Sequence, residues 1–437
     1  MQSSSVSTVW DSSVGKAAQS AKSCIRRRRY FRSRSCYFRL FIALIVAAII
    51  VILFGICYTC SCTDISYDQA LGYLKSLQTI NAGGSVTYPK RILFWTNIFG
   101  EDITSKVHNF YDCPENKNRC VIDSNKLAIL ASDAIVFHSR DISNQGLADL
   151  LKISCLPDKS LRNPDQIYVY YTMESPSNSG YPSTPANFFN WTMTFVAESD
   201  IQTRYGPHFM KIDDAKALEF EIKDFAVDEN RYLKKNSGIF WLVSNCNTDS
   251  KREKAVAELA KYIDVKIVGK CADNDVDKNL CPKSESCNDQ YENYPFYIAM
   301  ENSNCKDYIT EKLYQRIHIP SIPIVSRRRI YENAGIPSSS FIALDDFSGP
   351  KELAEYLKIL QTNITAYKHH MEWRKKWTIA PLGAAGLQSE MYGMCQLCDR
   401  LWESSKTHKS IDDINSHYEK LAACENGDAF LRKWIPE

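Results

Sequence analysis

Eight short apolar runs constrain this chain more than any of its other features. They are "RILFW" (91–95), "AIVF" (134–137), "QIYVYY" (166–171), "GIFWLVS" (238–244), "VKIV" (265–268), "FYIAM" (296–300), "IPIV" (322–325) and "FIAL" (341–344). Each is nearly continuous in apolar residues, whereas a strand with one wet face would alternate. Helical patterns lie between them. In "KREKAVAELAKYI" (251–263) Val256, Leu259 and Ile263 fall on one face, and comparable patterns cover 308–318 and 350–363. Strands buried on both faces and alternating with helices predict parallel sheets under helical cover, an α/β fold. At 437 residues the chain exceeds one ordinary core. Two Rossmann-like domains are therefore expected, with the break near "DENRYLKKNSG" (228–238).

"LFIALIVAAIIVILFGICY" (40–58) has no charge and no proline, and about 20 such residues span a bilayer. Its length, and its late start behind a basic tail (1–39), predict an uncleaved anchor rather than a signal peptide. "RRRRYFRSR" precedes it, and the first acids beyond it are Asp64 and Asp68. The positive-inside rule then gives a single-pass type II protein with everything after the anchor in a lumen. Residues 59–88 read as a polar stem. The net charge of +2 conceals this basic tail; the remainder is net acidic, and nucleic acid is not an expected partner.

Eleven cysteines lie beyond residue 90. In an oxidising lumen they should form structural disulfides, the odd count leaving at least one over. Cys395-x-x-Cys398 has no second ligand pair at zinc spacing and is assigned to disulfides, with Cys113 and Cys120 as further candidates. Asn190 ("NWT") and Asn363 ("NIT") are sequons. Asp273-x-Asp275 has the spacing of a metal pair, but Gly269, Lys270 and Cys271 separate it from its strand, so a solvated, disulfide-braced loop is expected. His369-His370 reads as helix surface. No metal site is predicted.

In parallel α/β sheets ligands sit at the carboxyl ends of strands. Those ends offer Glu174 in "TMESP", Arg252 in the first helical turn after "SNCNTDSK", and the polar junction "ENSNCKDYITEKL" (301–313). There Asp307 is expected to cap a helix from Tyr308, whose free N–H groups and Lys312 would suit a phosphate. A nucleotide-diphosphate leaving group is a natural occupant.

"FYIAMENSNCKDYITEKL" is similar to the signature F-Y-L-x-F-E-N-S-x-x-x-D-Y-I-T-E-K-L of the α1,3/4-fucosyltransferases. "YTMESP", "FFNWTMTFVAESDIQTRYG", "WLVSNCNTDSKRE" and "FIALDDFSGPKELAEYL" resemble further blocks of that family, in order, over about residues 90–400. The resemblance implies a Golgi enzyme of GT-B type, two Rossmann-like domains facing a central cleft. The acceptor side would be 89–230 and the donor side 231–385, followed by a cysteine-containing segment, 386–437. It implies inverting transfer of fucose from GDP-fucose to O3 of GlcNAc in glycan acceptors. Glu174 would be the general base. Arg252 and Lys312 would hold the GDP phosphates, Asn302 and Tyr308 would line the donor pocket, Glu311 would face the nucleotide sugar, and Glu301 would join the donor side. No cofactor would be required, with Mn²⁺ or Mg²⁺ at most stimulating. The chain departs from the family where an arginine is Val196, an aspartate is Glu198, a phenylalanine is Met300, and a glycine is lost in "IPIVSRRR". A non-catalytic glycan-binding or chaperone-like relative, or a transferase for another nucleotide sugar, is the alternative. The former should have lost the base or the phosphate cations, and this chain keeps Glu174, Arg252 and Lys312.

Overall fold

All eight apolar runs form strands, divided between two parallel sheets. The computed structural model describes residues 42, 65–80, 89–105, 119–143, 156–220, 222–223, 225, 229–232, 236–282, 287–380, 389–403 and 409–435. The predicted anchor, apart from Ile42, and Cys113 lie outside the described residues. No described helix is long and apolar enough to cross a membrane.

The first sheet contains β1 (Lys90–Phe94), β2 (Cys120–Asp123), β3 (Ala134–His138), β4 (Ile167–Tyr171), β5 (Trp191–Thr194) and β6 (Ile201–Gln202), in the order β2-β1-β3-β4-β5-β6. After β7 (His208–Lys211) the second sheet follows: β8 (Ile239–Leu242), β9 (Val265–Val268), β10 (Phe296–Ile298), β11 (Ile322–Val325) and β12 (Ile342–Ala343), ordered β12-β11-β10-β8-β9. Every neighbouring pair in both sheets is parallel. Continuous apolar sequence fits this arrangement because both faces are covered: every residue of β3 and β4 is buried. β13 (Trp377–Ala380) returns to pair antiparallel with β7.

β5 has no continuous apolar run, yet all four of its residues are buried. Trp191 and Met193 enter the core. Thr192 and Thr194 take the other face, where their hydroxyls meet Asp200 and Ser199. Local hydrogen bonds thus allow threonines to occupy a buried face.

The C-terminal segment is shared between the two sheets. Met394, Leu397, Cys398 and Leu401 of helix α1 (Ser389–Glu403) join the core of the first. Helix α2 (Ile414–Ala422) follows, and Phe430, Leu431 and Trp434 of α3 (Gly427–Trp434) join the core of the second.

Disulfides join Cys120–Cys398, Cys246–Cys271, Cys281–Cys287 and Cys305–Cys424. Cys395 is also disulfide-bonded. The Cys395-x-x-Cys398 pair therefore does not close on itself; one helical turn apart, both side chains face the first core.

Two expectations are corrected. Asn190 is 6% exposed, and its amide is spent inside the fold, accepting from Tyr168 N (2.8 Å) and Arg162 Nη2 (3.0 Å) and donating to Lys409 O (3.0 Å). In the folded chain it is an interior bracket with no open amide for a glycan. Asn363 is exposed and caps a short helix through its Oδ1. His370 is not helix surface: it is buried between the Tyr356 hydroxyl (2.8 Å) and Ser339 O (2.9 Å), and burial lowers its pKa. His369 is exposed.

The Cys120–Cys398 bridge closes a sequence separation of 278 residues and ties an edge strand to α1. Replacing both cysteines with serine is expected to cost about 2–5 kcal/mol, read as a lower midpoint in guanidinium unfolding.

Candidate active site

The junction after β10 folds differently from its helical expectation. Asp307 has a left-handed backbone (φ 60°), and its carboxylate accepts from Ala197 N (3.1 Å) of the other sheet's loop. It caps no helix. The helix that does form runs only from Glu311 to Tyr314 and is capped by Thr310. So short a helix contributes little dipole, and cationic side chains must carry the positive field.

Glu301 is 4% exposed and accepts from Thr310 N (2.8 Å) and Thr310 Oγ1 (2.9 Å). The Lys312 ammonium lies 2.9 Å from Glu301 Oε2, 3.0 Å from Glu311 Oε1 and 2.9 Å from Thr310 Oγ1. Burial pulls the Lys312 pKa down, but the two carboxylates outweigh it and the pKa is raised. Burial pushes Glu301 up against the opposing pull of Lys312. In Glu311, burial pushes up but Lys312 prevails, and the pKa is lowered. Lys312 is thus held as a cation in a fixed place.

Arg252 opens the helix Arg252–Leu259 and is 5% exposed. Its Nη1 donates to Met300 O (2.6 Å), which fixes it against the end of β10. Burial lowers its pKa, with Glu301 and Glu253 opposing. Among the described residues, Arg252 Nε, Asn302 Oδ1 and Asn304 Nδ2 are buried without hydrogen-bond partners. Unfilled buried donors and acceptors clustered at strand ends are what a polar ligand would satisfy.

Glu174 follows β4. Its N–H donates to Thr172 Oγ1 (3.1 Å), its carbonyl accepts from Tyr418 Oη (2.6 Å), and its carboxylate accepts from Tyr308 Oη (3.3 Å). Tyr308 is 2% exposed, its ring 4.7 Å from Phe195 and 6.1 Å from Tyr205. Burial, and then the neighbouring Tyr205 and acids, raise its pKa well above the ordinary phenol, so it remains a donor. Tyr308 thus links the junction after β10 to the acid after β4. Ser175 Oγ and Ser303 Oγ, 2.8 Å apart, form a second link. The charges of Glu174, Glu301 and Glu311 all act on Tyr308, and those of Glu301, Glu311 and Lys312 act with Arg252, placing the predicted residues in one electrostatic neighbourhood.

Val196 is fully buried, so the departure from the family's arginine is filled by packing, while Glu198 pairs with Lys306. Asp275 is solvated, its side chain 91% exposed and paired with Lys278, and Asp273 is exposed in the same disulfide-braced loop.

One group escaped the sequence reading. His138 ends β3 beside Tyr171 at the end of β4. Its Nδ1 is hydrogen-bonded to Asp141, whose carboxylate also accepts from Phe99 N (2.8 Å) and Gly100 N (3.0 Å). These contacts hold Phe99 in a left-handed conformation (φ 52°) with its ring 56% exposed. The available signal was "FHSRD", a histidine closing an apolar run with an acid three residues on.

Two parallel α/β sheets with a carboxylate and two cations at their strand ends suit an anionic ligand. Residues 87–206 match the family "Fucosyltransferase, N-terminal", and residues 232–417 match "Glycosyltransferase family 10 (fucosyltransferase) C-term". The chain belongs to glycosyltransferase family 10, the fucosyltransferases. Alpha-(1,3)-fucosyltransferase fut-5 of Caenorhabditis elegans is 32% identical over 378 residues, covering 84% of this chain and 91% of that protein. 4-Galactosyl-N-acetylglucosaminide 3-alpha-L-fucosyltransferase 9 of Rattus norvegicus is 34% identical over 293 residues, 66% of this chain and 72% of that one. A solved alpha1,3-fucosyltransferase with GDP superposes with a TM-score of 0.45 at 17% identity, over 75% of this chain and 94% of that one. Membership rests on the sequence matches alone.

The Glu301–Lys312 pair has a pH signature. Because the folded-state pKa of Lys312 is raised, its contribution to stability is complete below the ordinary lysine range and is lost as pH rises through the raised value. Lys312→Met, which leaves Glu301 buried without its cation, should cost about 1–3 kcal/mol near neutrality. Denaturation series from pH 7 upward should show the gap to wild type narrowing above about pH 10.5.

Proposed function

We propose that this chain transfers fucose from GDP-fucose to O3 of a GlcNAc residue in glycoprotein or glycolipid glycans, inverting the anomeric carbon. The observation that carries this reading is the Tyr308–Glu174 hydrogen bond, which sets a carboxylate from the first sheet against the donor-side junction of the second. The names of the relatives from C. elegans and rat support the bond formed and, in the rat protein, the acceptor.

Glu174 takes the proton from the acceptor hydroxyl as that oxygen bonds to fucose C1 and the C1–phosphate bond breaks. Negative charge grows on the departing GDP, where Lys312 and the unfilled Nε of Arg252 stabilise it. Asn302 Oδ1 is a buried acceptor suited to a hydroxyl of the donor. Glu311 is exposed beside Lys312 and faces the nucleotide sugar. Glu301 acts through Lys312, being itself buried under Thr310. Phe99, with its strained backbone and exposed ring packed 4.7 Å from His138 at the end of β3, suits the C–H face of an acceptor sugar. In this reading the two sheets belong to the Rossmann-like domains of a GT-B enzyme.

Glu174→Gln keeps the size of the side chain but cannot accept a proton. It is expected to lower kcat by about 100-fold or more, with the KM for GDP-fucose within about twofold. A variant retaining more than about a tenth of wild-type kcat would refute the base assignment.

Charge stabilisation by Lys312 and Arg252 removes the need for a metal, with Mn²⁺ or Mg²⁺ at most stimulating. The 40–58 run supports a type II Golgi membrane protein. Turnover should persist in EDTA, and residues beyond 58 should resist protease in sealed vesicles; abolished turnover or cleavage would sink the respective point.

A further inference from the structure

The C-terminal segment touches all three strand-end loops of the site. Along the first sheet, Ile411 N donates to Phe189 O (2.9 Å) and Asn415 Nδ2 to Pro182 O (3.1 Å). At the end of α2 the chain turns through Ala423 (φ 43°) and crosses to the junction after β10. There Lys306 N donates to Ala422 O (2.9 Å), Cys424 bridges to Cys305, and Glu425 N donates to Asn304 O (2.8 Å). The Glu425 carboxylate accepts from Arg327 Nε (2.7 Å). Gly427 then presses against the loop before Arg252 so closely that a Cβ would lie 2.1 Å from Asp249 O. Only a residue without a side chain fits there.

We propose that residues 409–434 form a strap that holds the site in register, with Tyr418 as the positioning residue for Glu174. The proposal rests on the reading of Glu174 as base. Tyr418 is 1% exposed, and its phenol donates to Glu174 O at 2.6 Å, the shortest of the three contacts given above for that residue. Its ring packs 5.5 Å from Tyr170 and 6.3 Å from Phe195, the same phenylalanine that abuts Tyr308. Glu174 is therefore held by two phenols. Tyr418 fixes its backbone, and Tyr308 meets its carboxylate. Tyr418 meets the backbone carbonyl of Glu174 and not its carboxylate, so its action passes through Glu174. The family match itself ends at residue 417, and Tyr418 lies just beyond it.

The test compares full-length Tyr418→Phe, Glu174→Gln and the double variant, each normalised to folded protein by GDP binding. Tyr418→Phe removes one O–H and keeps the ring. It is expected to lower kcat about tenfold while the KM for GDP-fucose stays within about twofold. In the Glu174→Gln background, Tyr418→Phe should have no further effect, since the two act as one unit. The Cys305→Ser, Cys424→Ser variant loosens the strap at its other end, without touching Glu174, and should lower kcat in the same direction. Unchanged kcat in Tyr418→Phe beside an inactive Glu174→Gln would overturn the strap proposal. So would additive losses in the double variant. An active Glu174→Gln would instead overturn the base reading, whatever Tyr418→Phe does.

Discussion

The contact between Tyr308 and Glu174 is a single 3.3 Å hydrogen bond, yet the geometry of the site depends on it. A carboxylate at a strand end in a loop would ordinarily sample several rotamers in water. Here a buried phenol that cannot readily ionise points a permanent donor at it. Burial raises the Tyr308 pKa, which keeps the proton on the phenol. The phenol comes from the loop that also carries Lys312. One bond therefore couples the acid contributed by the first sheet to the cation contributed by the second.

The cationic side of the site is arranged by a different rule. A lone ammonium in this position would lose its charge to desolvation, and an arginine only 5% exposed would be costly. Lys312 is retained by Glu301 and Glu311, while Arg252 is steadied by the carbonyl of Met300. These acids offset much of the positive charge that an incoming phosphate would meet. They fix where it originates. Glu301 is fully engaged beneath Thr310, whereas Glu311 remains solvent-facing, and so two neighbouring acids divide into one that builds and one that is open to a ligand.

Much of the architecture was legible in the sequence, because strands buried on both faces must be written as unbroken apolar runs. β3, β4, β8, β9 and β11 declare themselves in this way. β5 did not, since its threonines are buried by local hydrogen bonding that no periodicity reports. Glu174, Arg252 and Lys312 were visible as polar residues at strand ends. The role of Tyr308 was only half visible, as its partner lies 134 residues away. Asp307 misled because an acid before a helical pattern reads as a cap, while tertiary contact with Ala197 drew it into a left-handed turn. Asn190 misled for a related reason: a sequon is a statement about three residues, and burial is a statement about the whole fold.

The bond between Cys120 and Cys398 has a consequence for biosynthesis. An edge strand of the first sheet waits for a helix 278 residues later, and Met394, Leu397 and Leu401 of that helix complete the same core. At ~5–20 residues per second, the ribosome needs about a quarter of a minute to a minute to supply them. During that interval the first sheet emerges with part of its apolar face uncovered and one thiol unmatched. The nascent chain would therefore rely on holdases and a thiol oxidant until translation ends, and its earliest-made half would be among the last to become fully native.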